Sequence, residues 1–170
     1  MEAIPTTAGP APARGVAEEQ EDCRPNVVVY TAAISACVLN KAALFEKVNH
    51  EQEQMRSFEI AEKVMEELEF SPYASPNFLS YAAFLSVCSS ALPEHSEQRD
   101  RVVSQTFRRC CDNGAVGRKV IEHLKDAASP KLFKDLLSGC KDWHDIPPSW
   151  RSRVVGERYD GRRPSAPSFS

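Results

Sequence analysis

The chain has 170 residues, 42% of them apolar and 26% charged, with a formal net charge of −3. That is the composition of a single ordinary globular domain. It excludes a chain drawn to nucleic acid by its overall charge, and no run approaches the ~18 consecutive apolar residues of a transmembrane helix.

Residues 1–24 are rich in Pro, Ala and Thr and then acidic (Glu18, Glu19, Glu21, Asp22), without periodic apolar positions. They predict a disordered leader. Met1 to Asp22 carry five acids against Arg14 and no apolar core, which matches neither a secretory signal nor an organelle transit peptide. Val27 to Leu39 is almost wholly apolar, and Asn26 before it is a favoured N-cap. The run Val27, Val28, Val29 favours a strand, but the length and the following alanines favour a buried helix. Residues 40–56 are polar and charged and form either a lengthened helix or a loop. Ser57 to Phe70 places Ala61, Val64, Met65 and Leu68 on one helical stripe, with Glu59, Glu62, Lys63, Glu66 and Glu67 outside. Pro72 lies just past its end.

Asn77 to Ala91 repeats the first apolar pattern. After Pro93, Ser96 caps a helix to about Asp112 that buries Val103, Phe107 and Cys110, and Asn113 and Gly114 stop it. Val116 to Ala128 turns Val120, Ile121 and Leu124 inward. Ser129 and Pro130 start a further helix with Leu132, Phe133, Leu136 and Leu137 on its stripe, and Gly139 ends it. Trp143, Ile146, Trp150 and Val154 are expected to lie over the end of the stack. Residues 157–170 predict a disordered tail. No alternating run competes with these helices, so the expected class is all-α.

Charge is unevenly divided. Residues 1–96 hold 14 acids and 6 bases, and residues 97–170 hold 10 acids and 15 bases. Such asymmetry marks either a nucleic-acid-facing half or a solvated surface with a basic tail. The six cysteines include no CxxC pair, and Cys37, Cys88 and Cys110 fall in apolar helical patterns. They are expected to be reduced core residues.

The chain repeats itself internally. PNVVVYTAAISACV (25–38) aligns without gaps on PNFLSYAAFLSVCS (76–89), with 6 identities in 14 positions. A Pro-Asn turn launches an apolar helix, an amphipathic helix returns, and the next Pro-Asn restarts the unit. Neither helix pair can bury its apolar face without a neighbour, so pairs stack.

"RPNVVVYTAAISAC" and "SPNFLSYAAFLSVC" resemble the opening helix of the pentatricopeptide repeat, and "EIAEKVMEEL" resembles its second helix. The similarity covers 25–39 and 57–89 and is weaker over 97–114. Residues 116–156 resemble the helical C-terminal extension of algal members, including Ile146, Pro147, Trp150 and Val154. The Pro-Asn spacing is 51 residues, against a family period of roughly 35, within the solenoid range. The resemblance therefore implies an α-solenoid of two hairpins over 25–114, the first interrupted at 40–56, followed by a helical extension over 115–156. Either the chain is a fragment of a longer array or its C-terminal helices serve as a cap.

The family reads single-stranded RNA at about one base per repeat, with two or three side chains each, and works in RNA processing in the mitochondrion or chloroplast. The resemblance implies that the residue after the Tyr of the first helix and the residue just before the next repeat address the base. On this sequence these are Thr31 and Asn77, with Val28 packing on the ring. In the second unit Ala82 stands in the place of Thr31 and offers no hydrogen bond, and Leu79 is the packing residue. Arg99, Arg101, Arg108, Arg109, Arg118 and Lys119 form the densest basic set and are the expected phosphate contacts.

Catalytic signals are missing. There is no GxxxxGK[ST] and no GxGxxG, and His50 and Glu51 lack the second histidine of a zinc protease motif. Cys140 with His144, or Cys110 and Cys111 with His123, match no usual ligand spacing. No enzyme, cofactor or metal is expected. A helical scaffold for protein partners is the alternative to RNA binding. The tetratricopeptide signature is missing, which favours RNA, while the sequence pI of 5.8 favours the scaffold.

Overall fold

The computed structural model describes residues 24–38, 50–140 and 143–155. The expected leader other than Arg24, residues 40–49 of the expected insertion and the expected tail lie outside the described residues. Among the described residues there are six α-helices and no strand. These are α1 (Val27–Ala36), α2 (His50–Phe70), α3 (Phe78–Ala91), α4 (Glu97–Asp112), α5 (Arg118–Ala127) and α6 (Pro130–Leu136). Short 3-10 turns follow at Trp143–Asp145 and Pro148–Arg151. None of the described helices is long and apolar enough to cross a membrane.

Local chemistry sets most helix ends. The Asn26 side chain accepts from Val28 N and Val29 N, Ser96 from Arg99 N, and Ser129 from Leu132 N, each satisfying donors that the first turn of a helix leaves open. Gly114 and Gly139 take positive φ after α4 and α6. Two ends differ from the sequence expectation. α1 stops at Ala36, because Cys37 already caps it. α2 begins at His50, seven residues before Ser57, so part of the expected insertion lengthens a helix.

Contacts at both ends of α4 fix the directions of the helices. At the start of α4, the Arg99 guanidinium donates to Leu92 O after α3 (3.4 Å) and to Asp126 O and Ala127 O at the end of α5 (2.6 and 2.7 Å). At its finish, Asn113 Nδ2 donates to Tyr81 Oη in the first turn of α3 (2.6 Å). α3 and α5 therefore run parallel, and α4 is antiparallel to both. Arg24, just before α1, stacks on Tyr73, in the loop before α3, at 4.3 Å. Thr31 of α1 is hydrogen-bonded to Ser80 of α3 at 2.9 Å. The first turns of α1, α3 and α5 thus share one end of the molecule. α3 lies in the middle and packs on α1, α2, α4 and α5.

That central position explains why α3 has no apolar stripe. A helix apolar on every side is buried on every side, and Tyr81, Phe84, Leu85, Val87 and Cys88 are all buried. α1 is equally apolar but, among the described helices, packs chiefly on α2 and α3, and Val28 and Val29 remain exposed. α5 repeats the burial of α3: counted from the N-cap, positions 3, 4, 7 and 10 are buried in both (Ser80, Tyr81, Phe84, Val87 and Val120, Ile121, Leu124, Ala127). Each large apolar side chain so covered contributes roughly 1.5–3 kcal/mol. The C-terminal turns close the far side of α4, with Trp150 edge-on to Phe107 at 5.8 Å between ring centres.

Cys37, Cys88 and Cys110 are buried free thiols. Burial pushes Cys88 from 9.0 up to about 12. It also pushes Cys111 to about 12, with a smaller contribution from the Asp112 carboxylate, and it raises Cys110. Thiolate is the reacting form, so Cys88 and Cys110 are expected to react with a disulfide reagent near neutral pH only after unfolding. Rapid labelling of either in the folded chain would contradict this. The unfolded chain gives up these protons from pH 9.0 upwards, while the folded chain keeps them to about 12. This stabilisation is complete below that window and falls as pH rises through it. The urea midpoint is accordingly expected to be lower at about pH 10.5 than at about pH 8.

Candidate nucleic-acid interface

The hydrogen bond that joins α1 to α3 ties Thr31 to Ser80, and Ser80 is bonded in turn to Asn77, so it links two residues that the family resemblance marks for base reading. Asn77 is the N-cap of α3, and its Oδ1 accepts from Leu79 N and Ser80 N, both at 3.0 Å. Ser80 Oγ closes a capping box. It accepts from Asn77 N at 3.3 Å and donates to Asn77 Oδ1 at 3.1 Å. Ser80 Oγ also meets Thr31 Oγ1 at 2.9 Å, a contact in which either hydroxyl can donate. A hydroxyl carries one proton and two acceptor lone pairs, so Thr31 retains accepting capacity toward a ligand. The Asn77 amide nitrogen is the donor that the cap does not use.

Apolar side chains stand beside this network. Val28 is 69% exposed and Leu79 39% exposed, each at the second residue of its helix. Lys119 occupies the same position in α5, after the N-cap Gly117, with Arg118 before it; both are exposed. Val28, Leu79 and Lys119 therefore mark equivalent positions in the first turns of three parallel helices.

Five expected site residues are placed elsewhere. Ala82 is only 3% exposed, because α3 is covered by α1 on one side and α5 on the other. It cannot meet a base. Arg99 is 5% exposed, and its guanidinium is committed to three backbone carbonyls. It is a structural cation and leaves the phosphate set. Arg109 is ion-paired with Glu69 at 2.8 Å and faces a groove between α2 and α4. Arg108 borders a separate cleft beside Trp150 and α6. Arg101 is exposed seven residues before it on α4, two turns away on the same stripe. Of the basic set, only Arg118 and Lys119 belong to a first turn of the α1–α3–α5 row.

Ser80 is the site residue that sequence reasoning missed. The signal was present: Asn77 and Ser80 have the spacing of a capping box, and Val29 fills the matching position of the first repeat. No group of three metal-ligating side chains is found among the described residues. No protein-family model, no curated protein and no solved structure matches this chain.

Proposed function

We propose that the chain binds single-stranded RNA along the shared first-turn end of α1, α3 and α5, as a short α-solenoid of pentatricopeptide type in which α5 begins a third unit. The observation that carries this reading is the Thr31–Ser80–Asn77 network, which holds one acceptor and one donor between two neighbouring helices. Val28 and Leu79 are exposed beside it. A base needs both features, an apolar face to pack on and hydrogen-bonding groups on its edge. Arg118 and Lys119 supply positive charge on the same row.

So few contacts give weak binding. Each base contact is worth ~1–3 kcal/mol, and two phosphate contacts give a salt slope of about −1.4 for a single strand. Fluorescence anisotropy with short single-stranded RNAs over a range of salt tests this. R118A/K119A is expected to weaken binding to all sequences and to flatten the slope by about 1.4. R101A/R108A is expected to leave the slope unchanged. T31V is expected to change the order of preference among bases without changing the slope. Absence of binding at low salt by folded protein would refute the proposal, as would a T31V variant with unaltered preferences.

A further inference from the structure

On the side of the molecule formed by α2 and α4, these two helices do not pack extensively on each other. Between them lies a groove of about 550 Å³, a volume typical of binding clefts. The buried side chains of Met65 and Phe84 close its base, and the half-buried Val102 lies beside them. Glu59, Glu62, Glu66 and Glu69 line the α2 wall. Their spacing keeps them on one face of the helix along roughly 15 Å of its length. Glu69 is held by Arg109, which joins the two walls. Glu59, Glu62 and Glu66 are exposed and make no ion pair among the described residues. Phe70, 79% exposed, lies at the lip. Among the described residues, Lys63 and the already paired Arg109 are the only cations in the lining.

We propose that this groove docks a Lys/Arg-rich amphipathic helix of a protein partner. Phe70 at the lip and the half-buried Val102 meet the partner's apolar stripe, and the carboxylate ladder faces its flanking cations, which is the helix-in-groove mode of recognition. Charge selects the occupant. A line of unpaired carboxylates repels RNA and acidic segments and attracts a basic one, and like-charge juxtaposition is a strong filter against wrong partners. The groove shares no lining residue with the proposed RNA site, so each reading is tested by its own variants.

The test uses the full chain and a fluorescein-labelled helical peptide of about 16 residues, with leucines on one face and lysines flanking them. Anisotropy is expected to show saturable binding that weakens with salt. E59Q/E62Q/E66Q and E59K/E62K/E66K are expected to weaken it by about tenfold or more. Both variants change only exposed positions, and circular dichroism checks their folding. A peptide with glutamate in place of lysine is expected not to bind. One of the same composition with leucine and lysine scrambled around the helix is expected to bind at least about fivefold more weakly. RNA affinity is expected to be the same or higher in both glutamate variants. The proposal is overturned if the folded chain does not bind the basic peptide, if the folded glutamine variant binds it as wild type does, or if the scrambled peptide binds equally. It is also overturned if the glutamine variant loses RNA binding, which would assign the groove to RNA.

Discussion

Replacing Arg99 by methionine is expected to lower the stability of the chain by about 3–4 kcal/mol. Arg99 is 5% exposed, and its guanidinium donates to Ala127 O at 2.7 Å, Asp126 O at 2.6 Å and Leu92 O at 3.4 Å. All three carbonyls lie at helix C-termini, where no N–H of the same helix remains to satisfy them and where the helix dipole favours a cation. Hydrogen bonds to a charged group contribute roughly 1.5–3 kcal/mol each and are not additive. The methionine stem keeps most of the packing and removes every donor. Urea unfolding is expected to show a lower midpoint with an unchanged slope. R99K is expected to fall between the two, because an ammonium cannot reach three divergent carbonyls as a planar fork does. A loss below about 1 kcal/mol for R99M would show that the clamp is not what holds the ends of α3 and α5 together. RNA affinity, measured where R99M remains folded, is expected to match wild type; a residue that contacts phosphate would behave in the opposite way.

Gly114→Ala is the second large effect, expected to cost about 2–4 kcal/mol. Gly114 has φ +63, and a Cβ there would collide with the Ser152 side chain and approach Ser149 O to 3.1 Å. The left-handed backbone accounts for roughly 1 kcal/mol. The rest comes from pushing away the C-terminal turn, which is tied down by Arg153 N donating to Gly114 O at 2.9 Å and Val116 N donating to Trp150 O at 2.8 Å. Trp150 would then lose its edge contact with Phe107, so a change in tryptophan fluorescence is expected along with the lower melting temperature. Gly139 is the internal control. It has φ +92 with nothing within 4 Å of a built Cβ, so Gly139→Ala carries the backbone cost without the collision. If the two alanines prove equally costly, the steric part of this reading is wrong.

These two residues show what could be read in advance. Gly114 was legible as a stop signal, because an Asn-Gly pair at the end of an amphipathic stripe acts within one turn of backbone. Its second role, leaving room for Ser149 and Ser152, depends on a segment about 35 residues later in the chain, and no local pattern encodes it. Arg99 in sequence is one base among six between Arg99 and Lys119. Its burial follows from carbonyls 27 and 28 residues away. The same applies to Arg109, whose partner Glu69 is 40 residues distant, and to Ala82, which is covered because α3 has helices on both sides.

By itself the sequence determined the all-α class, the caps at Asn26, Asn77, Ser96 and Ser129, the stripe of Ala61, Met65 and Leu68, and the equivalence of the two Pro-Asn helices. These are local matters: capping bonds span two or three residues, and an apolar stripe is set by a period of 3.6. Only the tertiary structure decided that α5 flanks α3 as α1 does, that Thr31 and Asn77 meet through Ser80, and which basic residues lie on the α1–α3–α5 row. Those outcomes depend on side chains and carbonyls brought together across tens of residues, where burial, charge pairing and hydrogen-bond completion are settled by the packing of whole helices.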